Sequence, residues 1–110
     1  MNNFSMNVNT NKFLLLCEED NYNNVLNFYN SNPKIDIHFN NEEAFRIFCL
    51  KGNLDLIKWI LRVDPKLNIF VNNAECFHIL CKHGHYKTFL WLYLKYGEKE
   101  SINNIFLLFI

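Results

Sequence analysis

A dense group of cysteines and histidines lies in the last third of the chain. It comprises Cys76, His78, Cys81, His83 and His85. Thiolate and imidazole groups are the ligands that zinc prefers, so a structural metal site is the first chemistry to consider. The spacing argues against it, because there is no Cys-x-x-Cys pair and a five-residue separation turns two helical side chains about 500° apart. The sequence therefore predicts no metal site and no cofactor.

A cysteine nucleophile activated by a histidine is the second chemistry to consider. Cys17, Cys49 and Cys81 recur at a constant interval, and a cysteine that recurs with a repeat is expected to be buried rather than partly exposed and reactive. The chain also lacks a glycine-rich phosphate loop, a G-x-S-x-G motif and an H-E-x-x-H motif. We therefore predict that the protein is not an enzyme and has no catalytic residues.

The cysteines Cys17, Cys49 and Cys81 are separated by 32 residues, and the residues around them repeat at the same interval. A phenylalanine precedes each cysteine by four positions, at Phe13, Phe45 and Phe77. Self-similarity at a fixed period of roughly 20–50 residues is typical of repeat proteins, in which each unit buries its apolar face against its neighbours. Trp59 and Trp91 share the interval and are predicted to pack between repeats. Equivalent positions on neighbouring helices lie about 8–10 Å apart, too far for a disulfide, so the repeated cysteines should be free thiols.

The middle unit predicts two short helices joined by a tight turn. Asn40 or Asn41 would cap the first helix, which ends at Gly52 because glycine favours the left-handed position after a helix. The second helix, LDLIKWILRV, ends at Asp64, since the residue before a proline is pushed out of helical geometry. In the first unit Asp20 takes the place of the glycine. Each unit is thus a helix-turn-helix.

The segment before each helix pair shows a different period. Ile35, Ile37 and Phe39 alternate with Asp36 and His38, and a similar alternation returns one repeat later. A period of two predicts an extended, half-buried β-finger. We therefore predict an all-α fold, an α-solenoid of about three helix-turn-helix repeats of period 32 with short β-finger connectors. A tetratricopeptide-type solenoid would need longer helices and no alternating finger.

The units resemble the ankyrin repeat, which has about 33 residues. The stretches AFRIFCLKGNLDLIKWIL and CFHILCKHGHYKTFLWLYL are similar to its helix–Gly-His–helix core, with Gly84-His85 matching the Gly-His turn. The chain departs from the family where Glu43-Ala44-Phe45-Arg46 replaces the usual Thr-Pro-Leu-His start and Asp64-Pro65-Lys66 replaces Gly-Ala-Asp. The Phe-Arg and Cys variant resembles divergent ankyrin repeat proteins of giant DNA viruses of amoebae. The resemblance covers residues 13 to about 105 and implies an ankyrin-like solenoid.

The repeat register divides the chain into a lead-in and one repeat domain. The polar, Asn-rich residues 1–11 are expected to be a disordered lead-in. The ankyrin-like domain spans 12–110, with repeats at about 12–43, 44–75 and 76–107 and a truncated fourth first helix at 104–110. The terminal segment Ile105–Ile110 is apolar. Either it packs back on the third repeat as a cap, or it marks a truncated array or self-association with a second chain.

Composition excludes several classes of partner. Eleven basic and eleven acidic residues cancel, so the chain lacks the positive charge that binding to nucleic acid requires. The longest aromatic-apolar stretch, Phe89 to Leu94, is too short to cross a bilayer, and no secretory signal is present. Four cysteines without an export signal indicate a reducing compartment. We expect an intracellular, cytoplasmic protein, in the host cytoplasm if it is viral.

The resemblance to ankyrin repeats implies a concave groove that binds a protein partner. Its lining is expected from the ends of the first helices and from the fingers, at Glu18, Glu19, Phe39, Asn40, Glu42, Leu50, Lys51, Val71, Asn72, Lys82 and His83. The predicted function is a non-catalytic protein–protein interaction module, a scaffold or adaptor. Two alternatives stay open: a truncated remnant of a repeat family without a dedicated partner, and a small zinc-binding protein.

Overall fold

All regular structure in the described part of the chain is helical. A computed structural model describes residues 2–97, with side chains from Val8 onward. The six helices of this range are α1 (Asn2–Glu19), α2 (Tyr22–Ser31), α3 (Phe39–Lys51), α4 (Leu54–Val63), α5 (Val71–Lys82) and α6 (Tyr86–Tyr96). The all-α prediction is confirmed. The predicted fourth-repeat helix and the Ile105–Ile110 segment lie outside the described residues.

The helices form three pairs that follow the period of the sequence repeat. Each odd-numbered helix contacts the even-numbered helix that follows it, and the first helices also contact one another, α1 with α3 and α3 with α5. The second helices begin at Tyr22, Leu54 and Tyr86, which are separated by the same interval as the repeated cysteines. The helix α3 is therefore the element through which the first and third pairs are connected.

The repeated aromatic residues form the centre of the core. Phe13, Phe45 and Phe77 are completely buried, and burial of each such side chain contributes roughly 1.5–3 kcal/mol. Trp59 of α4 packs against the first pair, with its ring centroid 6.4 Å from that of Phe13 and 5.4 Å from that of Tyr29. These contacts confirm the prediction that this tryptophan packs between repeats.

The turns within the pairs are closed by the residues that the sequence indicates. Gly52 ends α3 with a φ of 70°, and its backbone N–H donates to the carbonyls of Phe48 and Cys49. Gly84 has a φ of 76°, and Asp20 takes the same left-handed region at 62°. In the first two pairs the next residue caps the second helix, because the side chains of Asn21 and Asn53 accept hydrogen bonds from backbone N–H groups of its first turn.

The connectors between pairs are turns, so the predicted β-fingers are wrong. We call residues 32–38 connector 1 and residues 64–70 connector 2. Ile35 and Ile37 are buried while Asp36 is exposed, so the predicted alternation of burial is present. Asp36 accepts a hydrogen bond from the backbone N–H of His38, and Asn68 accepts one from that of Phe70. These side chains accept hydrogen bonds from nearby backbone N–H groups and so close turns. In a β-strand the same N–H groups would instead pair with a neighbouring strand.

Each connector leads into a short left-handed turn. Asn40, Asn41 and Glu42 have φ values of 56°, 55° and 61°. Asn72, Asn73 and Ala74 take up the same conformation one repeat later. Asparagine tolerates the left-handed region better than most residues, which accounts for the Asn-Asn pair at the start of each turn. The prediction that Asn40 or Asn41 is an ordinary helix cap is therefore wrong, because the right-handed helix begins only after these turns.

The helix α1 includes most of the segment that composition assigns to a disordered lead-in. Thr10 is buried, and the side-chain amide of Asn9 donates to Oδ1 of Asn32 at 3.4 Å. These contacts hold the end of that segment against connector 1. The helix therefore begins before the predicted boundary at residue 12.

Candidate functional site

The predicted partner-binding residues at the ends of the first helices form an exposed row. Glu18 and Glu19 end α1, Leu50 and Lys51 end α3, and Lys82 ends α5 beside His83; all six are exposed. Nζ of Lys51 lies 3.9 Å from Oε1 of Glu18, so consecutive helix ends are neighbours. The row runs from acidic through mixed to basic, and Leu50 in its middle keeps 44% of its surface exposed. We call these six residues the helix-end row.

The remaining predicted partner residues lie at the opposite ends of the same helices. Phe39 is 40% exposed, Asn40 and Asn72 are exposed, and Val71 is partly buried. The right-handed part of α3 separates this group from the helix-end row by about 13 Å, at 1.5 Å per residue. A partner that contacts both groups would therefore have to extend along the first helices.

Glu42 does not belong to an exposed surface, contrary to the prediction. Its side chain is buried at 7% exposure. Oε1 lies 2.7 Å from Nδ1 of His38, and Oε2 accepts a hydrogen bond from the backbone N–H of Asn68 at 3.1 Å. Nε2 of the same imidazole contacts Oδ2 of Asp64. Glu42 is thus occupied in linking connector 1 to connector 2.

The fold gives the cysteines and histidines between Cys76 and His85 separate surroundings. The thiol of Cys76 is buried and donates to the carbonyl of Ile69 at 3.2 Å. The rings of His83 and His85 stack at 6.3 Å, and Nε2 of His85 lies 3.1 Å from the carbonyl oxygen of Leu50. Within residues 2–97, no three His, Cys, Asp or Glu side chains are arranged to hold a metal ion.

The repeated cysteines are free thiols with unequal surroundings. Cys17 and Cys49 are completely buried, whereas Cys81 is partly exposed because no further first helix covers α5 in the described range. Burial, followed by the charge of Glu18, raises the pKa of Cys17 to about 12. The pKa of Cys49 is raised by burial and then by a hydrogen bond with the thiol of Cys76. Raised pKa values disfavour the thiolate, so these groups are poor nucleophiles.

An open cleft of about 510 Å³ lies between the α3–α4 turn and the α5–α6 turn. The hydroxyl of Thr88 donates to the carbonyl of Gly52 at 3.1 Å, and His85 bonds to the same turn at Leu50. Asn53 in turn donates to Oδ1 of Asp20 at 2.9 Å. The polar groups around the cleft therefore connect successive turns to one another.

None of the helices formed by residues 2–97 combines the length and the apolar character that a membrane crossing requires. Comparisons of the chain with protein-family models, with curated proteins and with solved structures gave no match.

Proposed function

We propose that the protein is a non-catalytic interaction module, an ankyrin-like α-solenoid that binds a protein partner along its first helices and acts as a scaffold or adaptor. The observation that supports it most is Leu50, an apolar side chain 44% exposed in the middle of the helix-end row. Removal of exposed apolar surface from water by a partner is favourable, and the charged residues beside Leu50 would set the orientation of that partner. The adjacent contact between Lys51 and Glu18 joins two helix pairs into one surface.

The order of charges along the helix-end row indicates the charge distribution of the partner. Glu18 and Glu19 lie at one end and Lys82 at the other. A partner of the opposite polarity, basic toward α1 and acidic toward α5, would be oriented by this order, because complementary charge sets specificity and association rate. An extended segment with one apolar side chain near its centre fits Leu50.

The test is a site-specific photocrosslinking experiment with a paired charge variant. A photoreactive phenylalanine analogue at position 39 or at position 50 is expected to capture the same protein, and the analogue at Leu90 on α6 is the control position. In the protein that carries the analogue at position 39, Leu50→Asp with Lys82→Glu should weaken capture at least about 30-fold without changing helix content, since loss of a central anchor costs about 2 kcal/mol or more.

Leu94→Asp with Lys87→Glu is the matched control. It introduces the same change of charge at exposed positions of α6 and should leave capture intact. Equal loss in both variants would mean that net charge, and not the helix-end row, governs capture. Full retention in Leu50→Asp with Lys82→Glu would overturn the assignment of the surface. Failure of positions 39 and 50 to capture a common protein would favour a repeat-family remnant without a dedicated partner.

A further inference from the structure

A histidine lies between two carboxylates where connector 1 meets connector 2. Nδ1 of His38 is 2.7 Å from Oε1 of Glu42, and its Nε2 contacts Oδ2 of Asp64. Glu42 also accepts the backbone N–H of Asn68. We call these four residues the His38 clamp. It joins the end of connector 1 and the start of α3 to Asp64 and Asn68 of connector 2.

The two carboxylates determine which form of the imidazole fits. A neutral imidazole has one N–H donor and one lone pair, whereas an ionised carboxylate only accepts hydrogen bonds. With a carboxylate at each ring nitrogen, the neutral form places a lone pair against an acceptor oxygen. The imidazolium donates to both Glu42 and Asp64 and carries the charge that they complement.

We propose that His38 is a protonation switch: as an imidazolium it bridges Glu42 and Asp64 and holds connector 2 against connector 1, and loss of its ring proton releases this junction. The proposal concerns the fold and does not depend on the proposed partner-binding function. It places the switch next to Phe39 and Asn40, at the start of α3.

The charges around the ring agree with the imidazolium. Asp36, on connector 1, accepts a hydrogen bond from the backbone N–H of His38 at 3.0 Å. It is the third carboxylate near the ring, after Glu42 and Asp64. On connector 2, the backbone N–H of Lys66 donates to Asp64 at 2.8 Å, and the ammonium of Lys66 also acts on that carboxylate. On α3, Glu42 is the carboxylate in contact with the ring. The local balance is thus negative, which favours a proton on the ring.

The pKa values give the direction of the pH dependence. Partial desolvation lowers the pKa of His38, but its hydrogen bonds to Glu42 and Asp64, together with their charges, outweigh this and raise the pKa above 6.5. The stability contributed by His38 is therefore fully present below pH 6.5 and is lost as the pH rises through the raised pKa. The pKa of Asp64 is lowered from 3.8, first by the hydrogen bond from Lys66, so its contribution is lost only as the pH falls through that lowered value.

The next repeat carries an apolar counterpart of the clamp. One repeat after His38, Glu42 and Asp64 the chain has Phe70, Ala74 and Tyr96. Equivalent positions are thus titratable at one junction and much less polar at the next. The chain itself supplies a replacement set, His38→Phe with Glu42→Ala and Asp64→Tyr, that removes the imidazole without leaving a buried carboxylate unpaired.

The experiment combines NMR of the ¹⁵N-labelled imidazoles with denaturant unfolding over about pH 5.5 to 9, the range in which histidines titrate. His38→Gln assigns the His38 signals. In the wild type we expect both ring nitrogens of His38 to be protonated below pH 6.5 and the ring to titrate above 6.5. Between the ordinary and the raised pKa, the folding equilibrium constant should fall with rising pH relative to the triple variant, by no more than about tenfold per pH unit because one proton is involved.

The control variant is His83→Gln, which removes an exposed imidazole outside the clamp and should leave the NMR titration of His38 unchanged. A His38 ring that titrates at or below 6.5, or that keeps one nitrogen unprotonated below that pH, would overturn the proposal. The same follows if the wild type and the triple variant have parallel pH profiles. The wild-type NMR titration decides the question even if a variant fails to fold.

Discussion

The four thiols differ in burial although three of them occupy equivalent repeat positions. Cys17, Cys49 and Cys76 are buried, and Cys81 is partly exposed. The buried thiols of Cys17 and Cys49 lie on helices that a following first helix contacts, since α3 packs against α1 and α5 packs against α3. Reactivity should therefore report how the first helices cover one another.

We predict that alkylation of the native protein modifies Cys81 first. Burial raises the pKa of Cys17 to about 12 and also raises the pKa of Cys49. Both thiols are therefore protonated near neutral pH, and the reagent cannot reach them. The pKa of Cys81 is also raised by its partial burial, yet its thiol meets solvent. Mass spectrometry after iodoacetamide treatment near neutral pH is the measurement, and the urea-unfolded protein, with all four sites modified, is the control. Equal rates at Cys17 and Cys81 in the native protein would contradict this assignment.

The within-pair turns show how far local sequence determines an element. Gly52, Gly84 and Asp20 were predicted to close the first helices because the left-handed conformation after a helix selects glycine and tolerates Asp, and their φ values confirm it. The helix end at Asp64 follows in the same way from Pro65. Each of these predictions depends on the conformational preference of one or two residues, which follows directly from the residue type.

The connectors show why other features could not be predicted. The alternation at Ile35 and Ile37 correctly indicated burial, but the choice between strand and turn depended on Asp36 taking a backbone donor. The clamp between His38 and Asp64 joins residues 26 positions apart, and neither residue type recurs at the equivalent position one repeat later. A search for repeated positions therefore passes over it. Charged residues at positions that break the repeat are the signal that would have found it.

Gly52 and Gly84 form a matched pair for testing how successive turns are connected. Both have positive φ, so alanine costs about 1–2 kcal/mol at either position. A methyl group on Gly52 would also overlap the imidazole of His85, whereas the space beside Gly84 is open. We predict that Gly52→Ala lowers the free energy of unfolding by about 1 kcal/mol more than Gly84→Ala, because His85 must leave the carbonyl of Leu50.

Denaturant unfolding measures this difference, and a second substitution identifies its cause. Asn53 occupies the position equivalent to His85 one repeat earlier, so His85→Asn is a replacement that the chain already uses. The double variant Gly52→Ala with His85→Asn should lose less free energy of unfolding than the sum of the losses in the two single variants, because the smaller side chain no longer overlaps the added methyl group. Equal costs for Gly52→Ala and Gly84→Ala would show that the overlap with His85 is relieved without loss.

At the scale of the whole described range, the buried residues form one continuous cluster from Phe13 to Leu92. The first and third helix pairs are coupled through α3, since α1 and α5 each contact it. A small domain with one continuous core is expected to unfold as one unit. Trp59 lies against the first pair and Trp91 lies in the third, so two probes are already present.

We predict that Phe13→Ala lowers the unfolding midpoints reported by both tryptophans equally. The Phe13 ring is completely buried against Trp59, and its loss should cost about 3–5 kcal/mol. Fluorescence of the single-tryptophan variants Trp59→Phe and Trp91→Phe, each with and without Phe13→Ala, measures the two ends separately. Leu15→Ala, at a 65% exposed position of the same helix, is the control and should change stability by no more than about 0.5 kcal/mol. A Trp91 midpoint that does not respond to Phe13→Ala would mean that the third pair folds independently of the first, and that coupling through α3 is weaker than the continuous core implies.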